Sequence, residues 1–272
     1  MADISAKDVM ALRNKTGLPM MACKKALTEA AGDVDKAEDL LRKELKGKME
    51  TRVERAAGEG RIGVAIADDN TSAAIVELKA ETDFTAKNDT FIAATNQLAK
   101  LALAAPAGAE PSEAMSKIVD ELRISTGENI SIGRIEKLTG EGGNTVFGQY
   151  VHHDGKTGVL IQAEGDIGQD TLRQIGMHVT AAVPRPLGVT PDEIPSELVE
   201  KERKFRIDQA VESGKPKEIA EKMVEGGMRK FFAEVALLEQ NYVVDPTKTV
   251  KEIVAPATLK SFRRWEVGEA AH

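Results

Sequence analysis

The hydrophobic period of this chain changes from helical to strand-like at Gly63, and the pattern that begins there occurs twice. Residues 63–67 and 73–80 are apolar runs on either side of a polar turn, Asp68-Asp69-Asn70, and a helical period follows from about Thr90. The same order returns at 146–151 and 158–163, separated by His153-Asp154-Gly155-Lys156, with a helix over 171–182. A strand pair is marginal in water by itself and needs a second layer over its apolar face. Two strand–strand–helix units therefore predict a duplicated α+β core with antiparallel sheets and a covering helix on each. Only the first copy carries Thr82-Asp83-Phe84 after its second strand. The second has Gly165-Asp166-Ile167 in roughly that place.

Helical segments flank and interrupt this core. Residues 1–45 read as a three-helix N-terminal module, with Val9, Met10 and Leu12, then Met20, Met21, Cys23, Ala26 and Leu27, then Val34, Ala37, Leu40 and Leu41 at helical spacing. Thr16-Gly17 separates the first two helices, Pro19 suits a first turn, Gly32 ends the second and Asp33 suits the N-cap of the third. Such a module is small, so packing against a partner would stabilise it. Residues 46–60, rich in Lys, Arg and Gly, read as a linker. Residues 61–140 form core subdomain N, and 141–184 with 228–272 form core subdomain C. Residues 185–227 are inserted as an antiparallel helical hairpin broken at Gly214-Lys215-Pro216, whose thin apolar stripe of Leu198, Phe205 and Ile207 suits a projecting arm or short coiled coil.

Composition restricts the partners. Hydrophobic residues at 42% and charged residues at 30% describe a globular protein with material for two to four compact units in 272 residues. The formal net charge of −7 disfavours a phosphate backbone as ligand, because nucleic-acid affinity rests on clustered Lys and Arg. The basic clusters Lys46-Gly47-Lys48 and Arg52 with Arg55 are interleaved with Glu50 and Glu54, and read as solvated linker. Proteins or small molecules are the favoured partners. One cysteine, Cys23, excludes an internal disulfide and fits a reducing compartment. No signal-peptide core and no apolar run of about 20 residues occurs, so the expectation is a cytoplasmic protein without membrane contact.

Motifs for catalysis and nucleotide binding are weak. Gly58-Glu59-Gly60-Arg61-Ile62-Gly63 matches a dinucleotide fingerprint in letters only, since that motif needs a strand before it and a helix after it. Here a strand follows. No phosphate-binding Gly-x-x-x-x-Gly-Lys-[Ser/Thr] loop and no Gly-x-Ser-x-Gly elbow is present. Cys23 lies on an apolar helical face and reads as a core residue. The histidines His152, His153, His178 and His272 lack metal-site spacing, and no metal or cofactor is expected. His178 reads as structural. His152, where a strand meets its turn, suits surface recognition. No acid–base pair stands out, so the chain is not expected to be an enzyme.

The segment Glu81-Thr82-Asp83-Phe84-Thr85-Ala86-Lys87-Asn88-Asp89 reads as a polar turn carrying one large aromatic residue. An exposed loop Phe would mark a contact surface. From spacing alone, the reading in which Phe84 folds back and caps its own core is the stronger one. Met20-Met21 reads equally as core or as an adaptable contact surface.

Several blocks resemble the bacterial elongation factor Ts family. Leu12-Arg13 with Thr16-Gly17, Met20-Met21 and Cys23-Lys24-Lys25-Ala26-Leu27 resembles its N-terminal signature, and Thr82-Asp83-Phe84 with Ala86-Lys87-Asn88 its most characteristic loop. Gly127-Glu128-Asn129-Ile130, Met177-His178-Val179 and the run from Ser213 to Gly226 are similar too, so the resemblance covers nearly the whole chain in order.

The resemblance implies a guanine nucleotide exchange factor. It would bind GDP-bound elongation factor Tu, displace Mg²⁺ and promote GDP release so that GTP can bind, with no nucleotide of its own. It implies that the three-helix module is ubiquitin-associated-like and docks on the partner's GTPase domain. Thr82, Asp83, Phe84 and Thr85 would form the Mg²⁺-dislocating loop, with Asp83 and Phe84 intruding. Arg13, Met20, Met21 and Lys24 would form the N-terminal contact, and His152 would touch the partner from the core. The helical hairpin would be a coiled-coil or dimerisation arm, leaving open a homodimer, a one-to-one complex and a two-to-two complex. Thr85 stands where relatives often have Val, and Thr126 where they often have an aliphatic residue. Trp265-Glu266-Val267-Gly268-Glu269 is followed by three residues, so the contacts of a further C-terminal module seen in some relatives are expected to be absent. A binding module without exchange activity is the competing class.

Overall fold

The computed structural model describes residues 4–16, 18–50, 55–214 and 216–269, with the backbone alone at 42 and 45–50. Gly17, Arg52 and Lys215, and the side chains of Lys46 and Lys48, lie outside the described residues. The chain divides by contacts into two compact units. One comprises Met1–Gly63, Val76–Glu136 and Val267–His272, the other Val64–Ile75 and Lys137–Glu266.

Three helices open the first unit: α1 (Ala6–Thr16), α2 (Met20–Glu29) and α3 (Val34–Glu50). Val9, Leu12, Leu18, Cys23, Ala26, Leu27, Ala30, Ala37 and Leu41 meet in one buried cluster. Each fully buried leucine contributes about 1.5–3 kcal/mol. The turn after α2 is left-handed at Ala31 (φ 54°) and Gly32 (φ 88°), and the Gly32 amide donates to the Leu27 carbonyl at 2.9 Å. Asp33 caps α3, its Oδ1 accepting from the Lys36 amide at 3.1 Å. Helical structure persists to Glu50, so residues 46–50 of the expected linker belong to α3. The extra apolar contact a small module needs comes from within the chain, where Ile124 packs against the cluster.

The sheets follow in order: β1 (Glu59–Ile66), β2 (Ser72–Ala80), α4 (Asp83–Ala86), α5 (Asp89–Ala104), α6 (Glu113–Thr126) and β3 (Ser131–Thr139). After them come β4 (Thr145–Val151), β5 (Thr157–Glu164), α7 (Gln169–Ala181), α8 (Ser196–Glu212), α9 (Lys217–Val235), α10 (Val250–Val254) and β6 (Thr258–Glu266). The strands form two three-stranded antiparallel sheets, ordered β1-β2-β3 and β4-β5-β6. The repeat is thus strand–strand–helix–strand, one strand longer than its sequence pattern announces. The third strand, β3 or β6, joins the second. In the second sheet Thr145 pairs with Glu164 and Val151 with Gly158, while Thr157 pairs with Glu266 across β6.

Glycines let helices lie close on these strands. A Cβ at Gly63 would meet Thr95 of α5 at 2.8 Å, and one at Gly60 (φ +150°) would meet the Leu78 carbonyl of β2 at 2.2 Å. Gly60 and Gly63 therefore serve strand and helix packing, which is why the dinucleotide-like letters occur inside a strand. The second sheet uses a reciprocal pair. A Cβ at Gly148 of β4 would lie 2.4 Å from Leu172 of α7, and one at Gly176 of α7 would lie 2.6 Å from Tyr150. Val159, Ile161 and Ala163 of β5 meet Leu172, Ile175 and Val179 of α7 beneath this contact, with Val250, Val254 and Leu259 completing the core.

The helical hairpin is longer than its expected span of 185–227, since α9 runs to Val235 and joins a small cluster with Ile194 and Ala236. Leu198, Phe205, Ile207, Val211 and Ile219 stay exposed, and Ala210 is the buried residue of α8. Among the described residues no helix is long and apolar enough to cross a membrane.

His178 is buried and joins the loops after α7 and α9. Its Nε2 donates to the Gln240 carbonyl oxygen at 2.9 Å, and its Nδ1 accepts from the Val243 amide at 3.2 Å. Gln240 donates onward to the carbonyls of Pro184 and Glu234. An Nδ1 that accepts must be unprotonated, and burial lowers the imidazole's affinity for a proton.

Two tests follow from this packing. Gly148→Ala pushes α7 away from β4 and should destabilise the fold by about 1–3 kcal/mol in urea titrations. Because the His178 pKa is lowered in the folded state, the unfolded chain binds the extra proton as pH falls through its usual value of about 6.5. Its contribution to stability is present above that pH and is lost below it. The melting temperature should therefore fall between pH 7.5 and 5.5, and fall less in His178→Gln.

Candidate partner-binding surface

The segment after β2 is not an irregular turn but one turn of helix. Thr82 adopts an extended N-cap conformation (φ −126°, ψ 152°), and its hydroxyl oxygen accepts from the Thr85 amide at 3.3 Å. Asp83 lies in the first turn, where a negative charge is favoured by the helix dipole. Its carboxylate takes the Lys87 ammonium at 2.6 Å on the exposed side. Ala86 supplies the buried foot of α4, and Asn88 caps the next helix by accepting from the Thr90 amide at 2.8 Å.

Phe84 stands at the outer face of α4 with 84% of its surface exposed. The core-capping reading is thereby corrected. The buried apolar side chains beside it are Ala86, at 4% exposure, and Phe91, at 1%, at the start of α5.

A single carboxylate holds this turn from outside. Glu128 Oε2 accepts from the amides of Glu81 and Thr82, each at 3.1 Å. Its Oε1 accepts from the hydroxyls of Thr82 at 2.6 Å and Thr85 at 2.7 Å. The clasp is mutual, because Glu81 Oε1 accepts from the Asn129 amide at 2.7 Å, and Asn129 Nδ2 donates to the Arg55 carbonyl at 2.8 Å. Gly127, with φ 72°, ends α6 in the left-handed conformation and turns the chain so that Glu128 reaches back. Thr126 serves that helix end, donating to the Leu122 carbonyl and accepting from the Glu128 amide. Thr85 has a clearer consequence: its hydroxyl makes a bond to Glu128 that Val could not make.

The remaining sequence candidates sit on exposed ground. Met20 and Met21 open α2 at 45% and 74% exposure, so neither belongs to the core. Lys24, one helical turn on, is exposed as well. Arg13 is exposed on α1, and Met10, which the sequence reading put in the apolar pattern, lies three residues before it at 42% exposure. Each helix therefore offers a methionine and a cation on one face. Cys23 points the other way, buried with its sulfur 3.7 Å from the Thr16 hydroxyl.

His152 belongs to the second unit. It is half-buried at the end of β4, with its amide donating to the Thr157 carbonyl at 2.8 Å. Its Nδ1 lies 3.0 Å from the Tyr150 hydroxyl, and its ring stacks at a tilt on His153 at 4.3 Å. Among the described residues no group of three His, Cys, Asp or Glu side chains is placed to hold a metal ion.

Sequence reasoning gave Glu128 no role of its own, because its partners lie 43 to 47 positions earlier in the chain. The only local sign was an acid placed directly after a helix-ending Thr-Gly pair.

Comparison with known proteins gives the family. A family model described as Elongation factor TS matches residues 81–269. An elongation factor Ts of Hydrogenovibrio crunogenus is 41% identical over 278 aligned residues, covering 98% of this chain and 92% of that protein. An elongation factor Ts of Photorhabdus laumondii is 41% identical, covering 99% of this chain and 94% of its own. One of Vibrio cholerae is 42% identical, covering 98% and 92%. With a family model over most of its length and relatives aligned nearly end to end, the chain belongs to the elongation factor Ts family.

Proposed function

We propose that this protein is a guanine nucleotide exchange factor for elongation factor Tu, acting in the cytoplasm during translation elongation, with Phe84 as its wedge. The observation that carries the reading is an aromatic side chain 84% exposed on a turn whose hydroxyls and amides are bound to Glu128. A mobile surface ring would lose its freedom on binding. A ring already presented loses less of it, so more of its burial energy goes into the complex.

Exchange demands differential binding. The factor must hold the nucleotide-free GTPase more tightly than the GDP-bound one, and by linkage it then weakens GDP by the same ratio. Burying Phe84 between elements beside the partner's Mg²⁺ and phosphate site contributes about 1.5–3 kcal/mol, or about one to two decades in affinity. Thr82 and Thr85 hold the wedge, and Asp83 enters with it. Displacement of Mg²⁺ ligands and of the phosphate-binding backbone follows from occupying that space. The chain needs no nucleotide, metal or nucleic acid of its own for this.

The other exposed elements have parts in the same reading. The three-helix module, ubiquitin-associated-like in its role, docks on the GTPase domain through Arg13, Met20, Met21 and Lys24. Methionines suit such a surface because their unbranched side chains adapt to the facing shape. His152 meets the partner from the second core subdomain. The hairpin of α8 and α9, with Phe205 at 56% and Val211 at 72% exposure, is the arm through which a homodimer or a two-to-two complex would form.

Stopped-flow release of a fluorescent GDP from elongation factor Tu tests the proposal. Phe84→Ala should lower the second-order rate of stimulated release by about ten- to a hundredfold. Release as fast as with wild type would sink the wedge. Met21→Ala should instead raise the concentration needed for half-maximal stimulation by about three- to tenfold, with the limiting rate unchanged. A fall in the limiting rate alone would take Met21 out of the docking surface.

A further inference from the structure

We infer that Glu128 is the positioning residue of the wedge, and that Thr85 couples to the wedge through it; the inference rests on the exchange reading above. Four donors converge on this carboxylate: two amides on Oε2, and two hydroxyls on Oε1. The four come from residues 81, 82 and 85, so they fix both the last residues before α4 and its third helical position. Phe84 lies between the fixed points. A helix of four residues has no stability of its own, because nucleation fixes about as many residues as the element contains. What keeps α4 helical is the Thr82 cap at its start, the Asp83–Lys87 pair across it and Glu128 outside it.

Charge and geometry both favour a carboxylate at this position. Hydrogen bonds to an ionised acceptor are about twice as strong as neutral ones, and two oxygens with roughly four lone-pair sites match four donors. Glutamine at 128 would leave one oxygen for the two amides and turn its N–H₂ to the two hydroxyls, which would have to accept instead of donate, and every bond of the clasp would lose the strength that the charge gives. Aspartate would be one methylene too short to span both ends of the turn. The neighbouring contacts do not substitute for it: Asn129 binds Glu81 and the Arg55 carbonyl, and neither bond reaches α4. Thr85 adds the bond that extends the clasp past Phe84. Without it, the carboxylate would hold only the entry side of the turn.

Glu128 makes none of its bonds to the ring, so its effect on exchange must pass through Phe84. That sets it apart from a residue that merely supports the fold. Glu128→Gln should lower the second-order rate of stimulated GDP release by about tenfold. Thr85→Val should lower it about threefold, and Thr85→Val should add little in the Glu128→Gln background. In a Phe84→Ala background, Glu128→Gln should also cost little more, because the element it positions has lost its side chain. Multiplicative losses in that double variant would overturn the inference, as would wild-type rates for Glu128→Gln alone.

Amide hydrogen exchange on the isolated protein gives a readout that does not depend on the partner. The Glu81 and Thr82 amides should be protected in wild type and exchange at least tenfold faster in Glu128→Gln, with the protection of β5 and α7 unchanged. Equal protection in the two proteins would refute the clasp. Should wild type itself fail to accelerate GDP release, the exchange reading falls and the coupling to Phe84 with it. The amide measurement would then still decide whether Glu128 orders the turn.

Discussion

Both halves of the core depend on a central strand buried along nearly its whole length. From Ser72 to Leu78 every residue of β2 is buried, and from Thr157 to Ile161 every residue of β5 is. A strand buried in this way must hydrogen-bond on both edges, because an unpaired backbone group removed from water costs as much as a lost hydrogen bond. That requirement calls for the third strands, β3 and β6. It also gives a charge in β2 a demanding setting: Glu77, 1% exposed, is met by the Arg134 guanidinium of β3 at 2.7 Å and by the Gly268 amide at 2.9 Å. A lone carboxylate there would cost several kcal/mol. The strand that leads to Phe84 is therefore fixed by its neighbours before α4 begins.

Presenting Phe84 to water runs against the hydrophobic effect, which would bring the ring down onto the nearest apolar surface. Polar interactions oppose this at close range. The Thr82 cap sets the direction of the turn, Ala86 anchors its foot, and the bonds of Glu128 to three residues leave the backbone little freedom to collapse. Fixing the backbone of one residue costs about 1–2 kcal/mol, and here that cost is met in folding instead of at the encounter with a partner. An exposed aromatic residue on a rigid support is a stronger sign of a binding surface than an exposed aromatic residue on a flexible one.

Much of the architecture was legible because strands and helices differ in period. The strand pairs, the helices after them and the hairpin arm each left a run long enough to show alternation or a 3.6-residue repeat. What escaped, besides α6 and the third strands β3 and β6, was short or distant. Four residues of α4 cannot display a helical period. The bonds between 81–85 and 128 join segments 43 to 47 positions apart, which no local pattern records. Phe84 looked like a core cap because side-chain type predicts burial well on average, and its exposure becomes visible only in the folded turn, where Ala86 and Phe91 are the buried residues. Resemblance to a family pointed to these residues without the reason for their arrangement. Thr85 shows the difference: by resemblance it is a departure from Val, and in the structure its hydroxyl is the fourth donor to Glu128.

The duplication makes the point from the other side. Between β2 and α5 the chain has eight residues, 81–88, and between β5 and α7 it has four, 165–168. Four residues suffice to reverse the chain, with Gly165 at φ +101° making the turn and Gly168 entering the helix. They leave no room for a helical turn between them. In that shorter connection the apolar residue, Ile167, packs against the core beneath α7. The capping behaviour expected of Phe84 thus occurs in the second copy, at the residue that stands in its place. The first copy has four more residues, and with them it lifts an aromatic side chain off the core and holds it there by a carboxylate that arrives from the turn after α6. One frame supports both outcomes, and the length of a single connection decides which half seals its own core and which one reaches outward.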